Sequence, residues 1–477
     1  MRKAIPTSFR LGPVAAMALL LVASSACVPA SGGTGPKRVI LVTLDTTRAD
    51  HLSAYGYDFN TSPWFDRMAA DGVAFGRAYS QSATTKPSHA SLFTSLYPTQ
   101  HGVQNNGLVL DDDFVTMAEV MVDAGYRTAA FISADAPLGG NLRQGFEQWN
   151  EPLGGYSRAV AGGSAYRPAG ATIDAAIAWL DDEADPDAPL FLWVHVYDAH
   201  SPLMPPEPYR QQIDELEAGV GSDAHRGRLR SHGIGVDNPD LYERLLDYDA
   251  EILYADTQLQ RLFDFMSAEG MRDDTVWIIT ADHGQGLGSH GFFGHAVQIF
   301  NAQLHVPLVF WSSEGAFAPR RVDEALVELT DVLPTVLDMV GIDEMDQVMP
   351  IQGQSLWPYL HDGTPQTGRG LAYSERSRYS DTESRRKKPN YEPGFRYASQ
   401  DLSYKYILFT EGPDEFYDLR TDPYELVNLI DSGDHAEVRG LFRDRLLGLV
   451  ASTQGGRTPD SVSAEEIARL RALGYLQ

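Results

Sequence analysis

The run Arg38-Val39-Ile40-Leu41-Val42-Thr43-Leu44 stops abruptly at Asp45, and it limits the fold more than any other stretch of the chain. Seven residues with no polar alternation suit a strand covered on both faces, and such strands belong to parallel sheets whose crossover helices supply the cover. Comparable runs occur at 127–133, 190–196, 275–280 and 306–311, with helical patterns between them at 88–95, 115–124, 171–182 and 242–268. Thr61-Ser62-Pro63 opens a further helix and Gly72 closes it. This alternation predicts an α/β fold with a large, mostly parallel sheet sandwiched by helices. A chain of 477 residues can bury a core of that size.

In open sheets of this kind, ligands collect outside the carboxyl ends of the strands. Asp45, Asp198 and Asp282 each fall just past such an end, which is the placement a single site requires. From about Arg369 the character changes. Short strand patterns at 371–374, 403–410 and 415–419, followed by a helix at 435–450, predict a smaller C-terminal α+β subdomain. The expected organisation is therefore a catalytic domain at 38–368 and a subdomain at 369–477. Stretches 134–170 and 202–240 are rich in Gly, Pro and polar residues and read as surface loops around the substrate entrance. No internal repeat is present.

The N-terminus carries a different message. Met1-Arg2-Lys3, an apolar stretch from Val14 to Ala23, and Ser24-Ser25-Ala26-Cys27 read as a secretory signal over 1–26. Cys27, the single cysteine, sits where a bacterial lipoprotein would be cleaved and lipidated, and 27–37 then forms a tether. The expectation is an exported protein: periplasmic, anchored at the outer membrane through Cys27, or secreted. One cysteine also excludes an intramolecular disulfide or a thiolate metal site, leaving oxygen and imidazole ligands. With a formal charge of −27 and one basic run, Arg385-Arg386-Lys387-Lys388, the chain is not built to bind nucleic acid.

Three segments carry the chemistry: TLDTTRAD at 43–50, TTKPSHASLFTSLYPTQHG at 84–102 and TADHG at 280–284. Together with YDLRTDPYELVNL at 417–429, they resemble the alkaline phosphatase/sulfatase superfamily, and specifically its sulfatase-like members, from about residue 38 to the C-terminus. The resemblance implies an alkaline-phosphatase-like fold and an ester hydrolase. Where a sulfatase has Cys or Ser in C/S-x-P-x-R, this chain has Thr85-Lys86-Pro87-Ser88-His89. Threonine cannot be oxidised to the formylglycine aldehyde. Thr85 would therefore attack directly, as an ionised hydroxyl activated by a metal. Thr84 is the rival, and the register with Pro87 favours Thr85.

By the same resemblance, Asp45, Asp282, His283 and Thr85 form a metal-ligand set. Two carboxylates and an imidazole suit Zn²⁺ or Mn²⁺ better than Ca²⁺, because calcium-binding sulfatases place two aspartates at the first motif and Asp-Asn at the last. His200, in HVYDAHSP, matches a substrate-contacting histidine, and His295 stands where sulfatases usually have lysine. Two arrangements remain open. Asp198, His200 and His295 could hold a second ion, or a single ion could work with His200 and His295 as hydrogen-bond donors or acid catalysts. Asn106 lies where related phosphodiesterases use an asparagine on non-bridging oxygens, and Lys86 and His89 flank the nucleophile as candidate substrate contacts. His195 and His290 read as core or supporting residues. The expected activity is hydrolysis of phosphate mono- or diesters of a small molecule, glycan or lipid, through a covalent Thr85 intermediate. The alternatives are a sulfatase lacking formylglycine, a phosphoethanolamine-type transferase and an inactive envelope binding protein.

Overall fold

The computed structural model describes residues 35–134, 138, 141–151, 166–182, 185, 187–342, 350–361, 369–379 and 393–453. The leader, Cys27 and the basic run 385–388 lie outside the described residues. Five of the apolar runs form strands: β1 (Arg38–Leu44), β3 (Arg127–Ile132), β5 (Leu190–Val196), β6 (Thr275–Ala281) and β7 (His305–Ser312). Four more join them: β2 (Val73–Tyr79), β4 (Gln148–Asn150), β8 (Arg320–Val322) and β9 (Val327–Glu328). The order is β4-β3-β5-β1-β6-β7-β2-β8, with β9 also paired to β2. Every pairing is parallel except those of β7, which runs antiparallel to β6 and β2. The sheet is thus mostly parallel, and β1 occupies its middle with all seven residues buried.

β2 went unread because Gly76 and Arg77 interrupt its apolar pattern and two of its positions are alanine. A larger correction concerns 202–240. Instead of an open loop, the segment holds helices at Glu207–Val220 and Ser222–Ser231 and the start of a 30-residue helix at Pro239–Ala268. Sparse apolar positions, Ile213, Leu229, Ile234 and Val236, are buried with Phe59 and Leu245 in a core separate from the main one. With so few apolar residues per turn, the helical period is faint in the sequence. Among the described residues, no helix is long and apolar enough to cross a membrane.

Beyond the large sheet, four antiparallel strands, β10 (Ala372–Tyr379), β11 (Gly394–Gln400), β12 (Tyr404–Phe409) and β13 (Glu415–Asp418), form a second sheet in the order β10-β11-β12-β13. The helix Ala436–Thr453 packs on it through Phe442, Leu446 and Val450. This is the predicted C-terminal α+β element. A buried polar knot ties it to the catalytic sheet. Arg369 pairs with Glu328 at 2.6 Å and with Asp331, the Tyr97 hydroxyl donates to Glu328 at 3.1 Å, and the Tyr373 N–H donates to Glu328 at 2.6 Å.

Candidate active site

Parallel register brings the key residues together. Leu44 is level with Val196 on β5 and with Ala281 on β6, so the chain leaves three adjacent strands at one edge. Asp45 follows the first and Asp282 the third. The Asp45 N–H donates to Val196 O at 2.8 Å, which continues the ladder by one residue and aims the carboxylate past the sheet. Thr46 then adopts φ 53°, a left-handed conformation unusual for a β-branched residue. It is held there on both sides: its N–H donates to Asp282 Oδ1 at 3.1 Å and its carbonyl accepts from Tyr248 of the long helix at 2.7 Å.

Asp45, Asp282 and His283 each present one ligand atom within 4.8 Å of the other two, and all three residues are buried. Asp45 Oδ1, Asp45 Oδ2 and Asp282 Oδ2 have no hydrogen-bond partner. Burial drives the Asp45 carboxyl well above its usual range. Asp282 is pushed up to about 7, first by burial and then by the nearby Asp45 charge. Two buried carboxylates this close are stable as anions only beside a cation. Orphaned acceptor oxygens and convergent donors are what a divalent ion would satisfy. The residues present therefore fit the metal centre expected of them.

The imidazole of His283 is preset for the same purpose. Its Nδ1 lies 2.9 Å from Gly284 O, so Nδ1 carries the proton and Nε2 offers a bare lone pair. Burial lowers its pKa to about 3, keeping it neutral. Gly284 permits this turn, because a Cβ there would lie 2.4 Å from Ala302 O and 3.1 Å from Arg48 Cγ.

Thr85 Oγ1 is 3.3 Å from His283 Nε2 and opens the ten-residue helix Thr85–Thr94. Thr84 is the N-cap and makes no side-chain cap bond. The helix is pinned to the cluster by Ser88, whose hydroxyl donates to Asp282 O at 2.6 Å. Asn106 faces the same loop, but its Oδ1 accepts the Lys86 N–H at 2.9 Å, so that oxygen supports the loop that carries Thr85. His89 is fully buried, with Nδ1 2.8 Å from Thr85 O and Nε2 3.1 Å from Thr43 Oγ1. It holds the loop in place and presents no atom to a substrate. The Lys86 side chain is also buried.

His200 and His295 meet with their Nε2 atoms 3.0 Å apart. Each turns Nδ1 to a backbone carbonyl, His200 to Ser201 O at 2.6 Å and His295 to Ala83 O at 3.2 Å. Burial lowers both pKa values to about 3, so the rings are neutral and their Nε2 lone pairs face one another, a contact that a shared cation or an O–H donor would relieve. His295 also stacks on His283, with centroids 4.6 Å apart. Asp198 does not join this pair in a ligand group. Its Oδ2 accepts the Ala169 N–H at 2.7 Å at the start of the helix Ala169–Asp182. The grouping of Asp45, Asp282 and His283 is the single three-ligand cluster found among the described residues.

Three residues were not singled out as functional from the sequence. Thr43 and His195 sit side by side on β1 and β5, and His195 Nε2 lies 3.6 Å from Asp45 Oδ2. A polar residue inside a strand buried on both faces was the available signal. Arg48, also buried, grips Asp50 through two bonds of 2.7 Å and reaches Gln285 O at 3.2 Å and Ser289 Oγ at 3.1 Å, locking the first motif to the third. Apart from these three, His290, read from the sequence as a core or supporting residue, stacks on Phe300 with ring centroids 3.7 Å apart.

Comparison with known proteins agrees with this architecture. The family model described as Sulfatase matches residues 37–342, and one described as N-sulphoglucosamine sulphohydrolase, C-terminal, matches 288–452. The multifunctional alkaline phosphatase superfamily protein PehA of Trinickia caryophylli is 25% identical over 86% of this chain and 93% of its own length. An N-acetylglucosamine-6-O-sulfatase of Bacteroides thetaiotaomicron is 23% identical over 95% of this chain and 91% of its own. Among solved structures, the phosphonate monoester hydrolase of Agrobacterium radiobacter superposes with a TM-score of 0.69 at 25% identity, covering 88% of this chain and 96% of that one.

Proposed function

Because the chain belongs to the sulfatase family, a family of ester hydrolases, we propose that it is a cation-dependent hydrolase of phosphate mono- or diesters in which Thr85 is the covalent nucleophile. The observation that carries this reading is the buried Thr85 hydroxyl, 3.3 Å from Nε2 of His283, a member of the carboxylate cluster. Threonine provides an oxygen nucleophile and no route to an aldehyde. Similarity to a multifunctional alkaline phosphatase superfamily protein and to a phosphonate monoester hydrolase supports phosphorus as the centre attacked.

Asp45, Asp282, His283 and Thr85 would hold the ion, with Zn²⁺ or Mn²⁺ best suited to two carboxylates and an imidazole. When bound, it supplies positive charge that lowers the pKa of a hydroxyl and offsets the anionic ester. The chain's own groups do the rest. Asn106 and Ser88 fix the backbone around Thr85, whose position at a helix N-terminus favours an incoming anion. Thr85 loses its proton to solvent, and Oγ1 forms a bond to phosphorus as the bond to the leaving alcohol oxygen breaks. The leaving alcohol takes its proton from solvent water, while His200 and His295, kept neutral by burial with pKa values lowered to about 3, offer their Nε2 lone pairs as hydrogen-bond acceptors. Water then attacks the phosphothreonine and gives up one proton to solvent as the P–Oγ1 bond breaks, and Oγ1 takes a proton back from solvent, releasing phosphate and the free Thr85 hydroxyl.

Sulfate ester hydrolysis is the second reading, supported by the N-acetylglucosamine-6-O-sulfatase relative. Matched aryl phosphate, phosphodiester and sulfate substrates, assayed with Zn²⁺ or Mn²⁺ beside Thr85→Ala, separate the two. Phosphoester turnover abolished by Thr85→Ala supports the proposal, and faster sulfate turnover overturns it. Export belongs to the same reading: the leader and Cys27 direct the enzyme to the envelope, and labelling with a radioactive fatty acid in wild type but not in Cys27→Ala is the expected result.

A further inference from the structure

We propose that Thr43 is a positioning residue whose single hydroxyl donates to His89 and accepts from His195, so that both rings carry their proton on Nδ1 and a bare His195 Nε2 faces Asp45. The inference rests on reading Asp45, Asp282 and His283 as a cation site. Three groups share Thr43 Oγ1: Trp193 Nε1 at 3.0 Å, His195 Nδ1 at 3.0 Å and His89 Nε2 at 3.1 Å. Thr43 and both histidines have no exposed surface, so water cannot relieve a mismatch.

A hydroxyl has one proton to give and two lone pairs to offer. The indole N–H can only donate, so it takes one lone pair. One imidazole must therefore accept the hydroxyl proton and the other must donate to the remaining lone pair. His89 decides which. Its Nδ1 faces Thr85 O at 2.8 Å, a carbonyl that only accepts, so the neutral ring carries its proton on Nδ1 and receives the Thr43 proton at Nε2. His195 is left as the donor to Thr43 through Nδ1. Its Nε2, 3.6 Å from Asp45 Oδ2, then has no proton and no hydrogen-bond partner.

Both ends of this chain of contacts matter to the site. At one end, the His89 N–H holds the carbonyl of the nucleophile, Thr85. At the other, an N–H on His195 Nε2 would bond to the Asp45 carboxylate and compete with a cation for the oxygen. The bare nitrogen leaves that oxygen to the ion and adds negative potential beside it. Thr43 thus couples the nucleophile loop to the metal carboxylate without touching either.

Two measurements test this on the full mature chain. Nitrogen-15 NMR of histidine-labelled protein reads each ring's protonated nitrogen directly, and Nδ1–H is expected on both His89 and His195. An Nε2–H on either ring overturns the proposal whatever the enzyme's activity. Zn²⁺ affinity, measured by chelator competition, is expected to fall about 10–100-fold in Thr43→Val, as is usual for groups that orient a ligand, and to be restored in Thr43→Ser. Wild-type affinity in Thr43→Val overturns it as well. A wild-type chain that binds no divalent ion would sink the proposed function yet leave the NMR assignment standing, so the two failures are distinguishable.

Discussion

Stripping the proposed cation from this protein is expected to change how its stability depends on pH, and Asp282 sets the size of the effect. In the metal-free chain its carboxyl is raised from 3.8 to about 7 by burial and by Asp45. A carboxyl with a higher pKa folded than unfolded contributes stability that is fully present below the unfolded value, and this is lost as pH rises through the folded value. The window is therefore about pH 4 to 7. Three decades of proton affinity at about 1.4 kcal/mol each amount to about 4 kcal/mol from Asp282. Asp45 moves in the same direction. A bound cation replaces the protons and removes the loss. Other buried groups titrate too, but they act alike in loaded and stripped protein and cancel in the difference. Urea midpoints measured with excess Zn²⁺ and with chelator, at pH 5 and pH 8, supply that difference. It is expected to be larger at pH 8 by a few kcal/mol and to shrink in Asp282→Asn. An equal gap at both pH values would refute the argument that these carboxylates are uncompensated without an ion.

The remaining expectations follow from single contacts. Gly284→Ala should displace His283, because the new Cβ meets Ala302 O at 2.4 Å, and weakened Zn²⁺ binding together with lower turnover would show it. Arg369→Met leaves Glu328 and Asp331 buried without their cation and should cost about 3–5 kcal/mol in urea unfolding. His200→Ala and His295→Ala should each lower kcat, and the double variant should be little worse than either, since their Nε2 atoms meet at 3.0 Å and act as one unit. Fully additive losses would mean that they act separately.

The sheet was legible because a strand buried on both faces leaves a continuous apolar record, and β1, β5 and β6 left three. Asp45 and Asp282 were legible for a related reason: a charge ending such a run has few structural uses. Thr85 and His283 needed the resemblance, since a threonine before a helix and a histidine after an aspartate are individually common. Asp198 misled because it has the same strand-end placement but caps a helix. His89 looked like a substrate contact and proved to be a buried brace. Thr43 was hidden, and His195 read only as a core or supporting residue, because their connection lies in cross-strand register, which joins residues that sequence spacing keeps apart. The helices at 207–231 were missed because their apolar face is thin and packs on a core of its own.

That register also has a consequence for how the protein is made. The contact between Thr43 and His195 closes a loop of 152 residues, and the one between Thr46 and Asp282 closes a loop of 236. Contacts this distant pay their closure entropy before they return any energy, which makes parallel sheets slow to assemble. No nascent or half-folded chain owns both carboxylates in position, so capture of the proposed cation would come at the end of folding. An ion held there would act as a latch on the finished sheet, its affinity spent on holding the native state against unfolding.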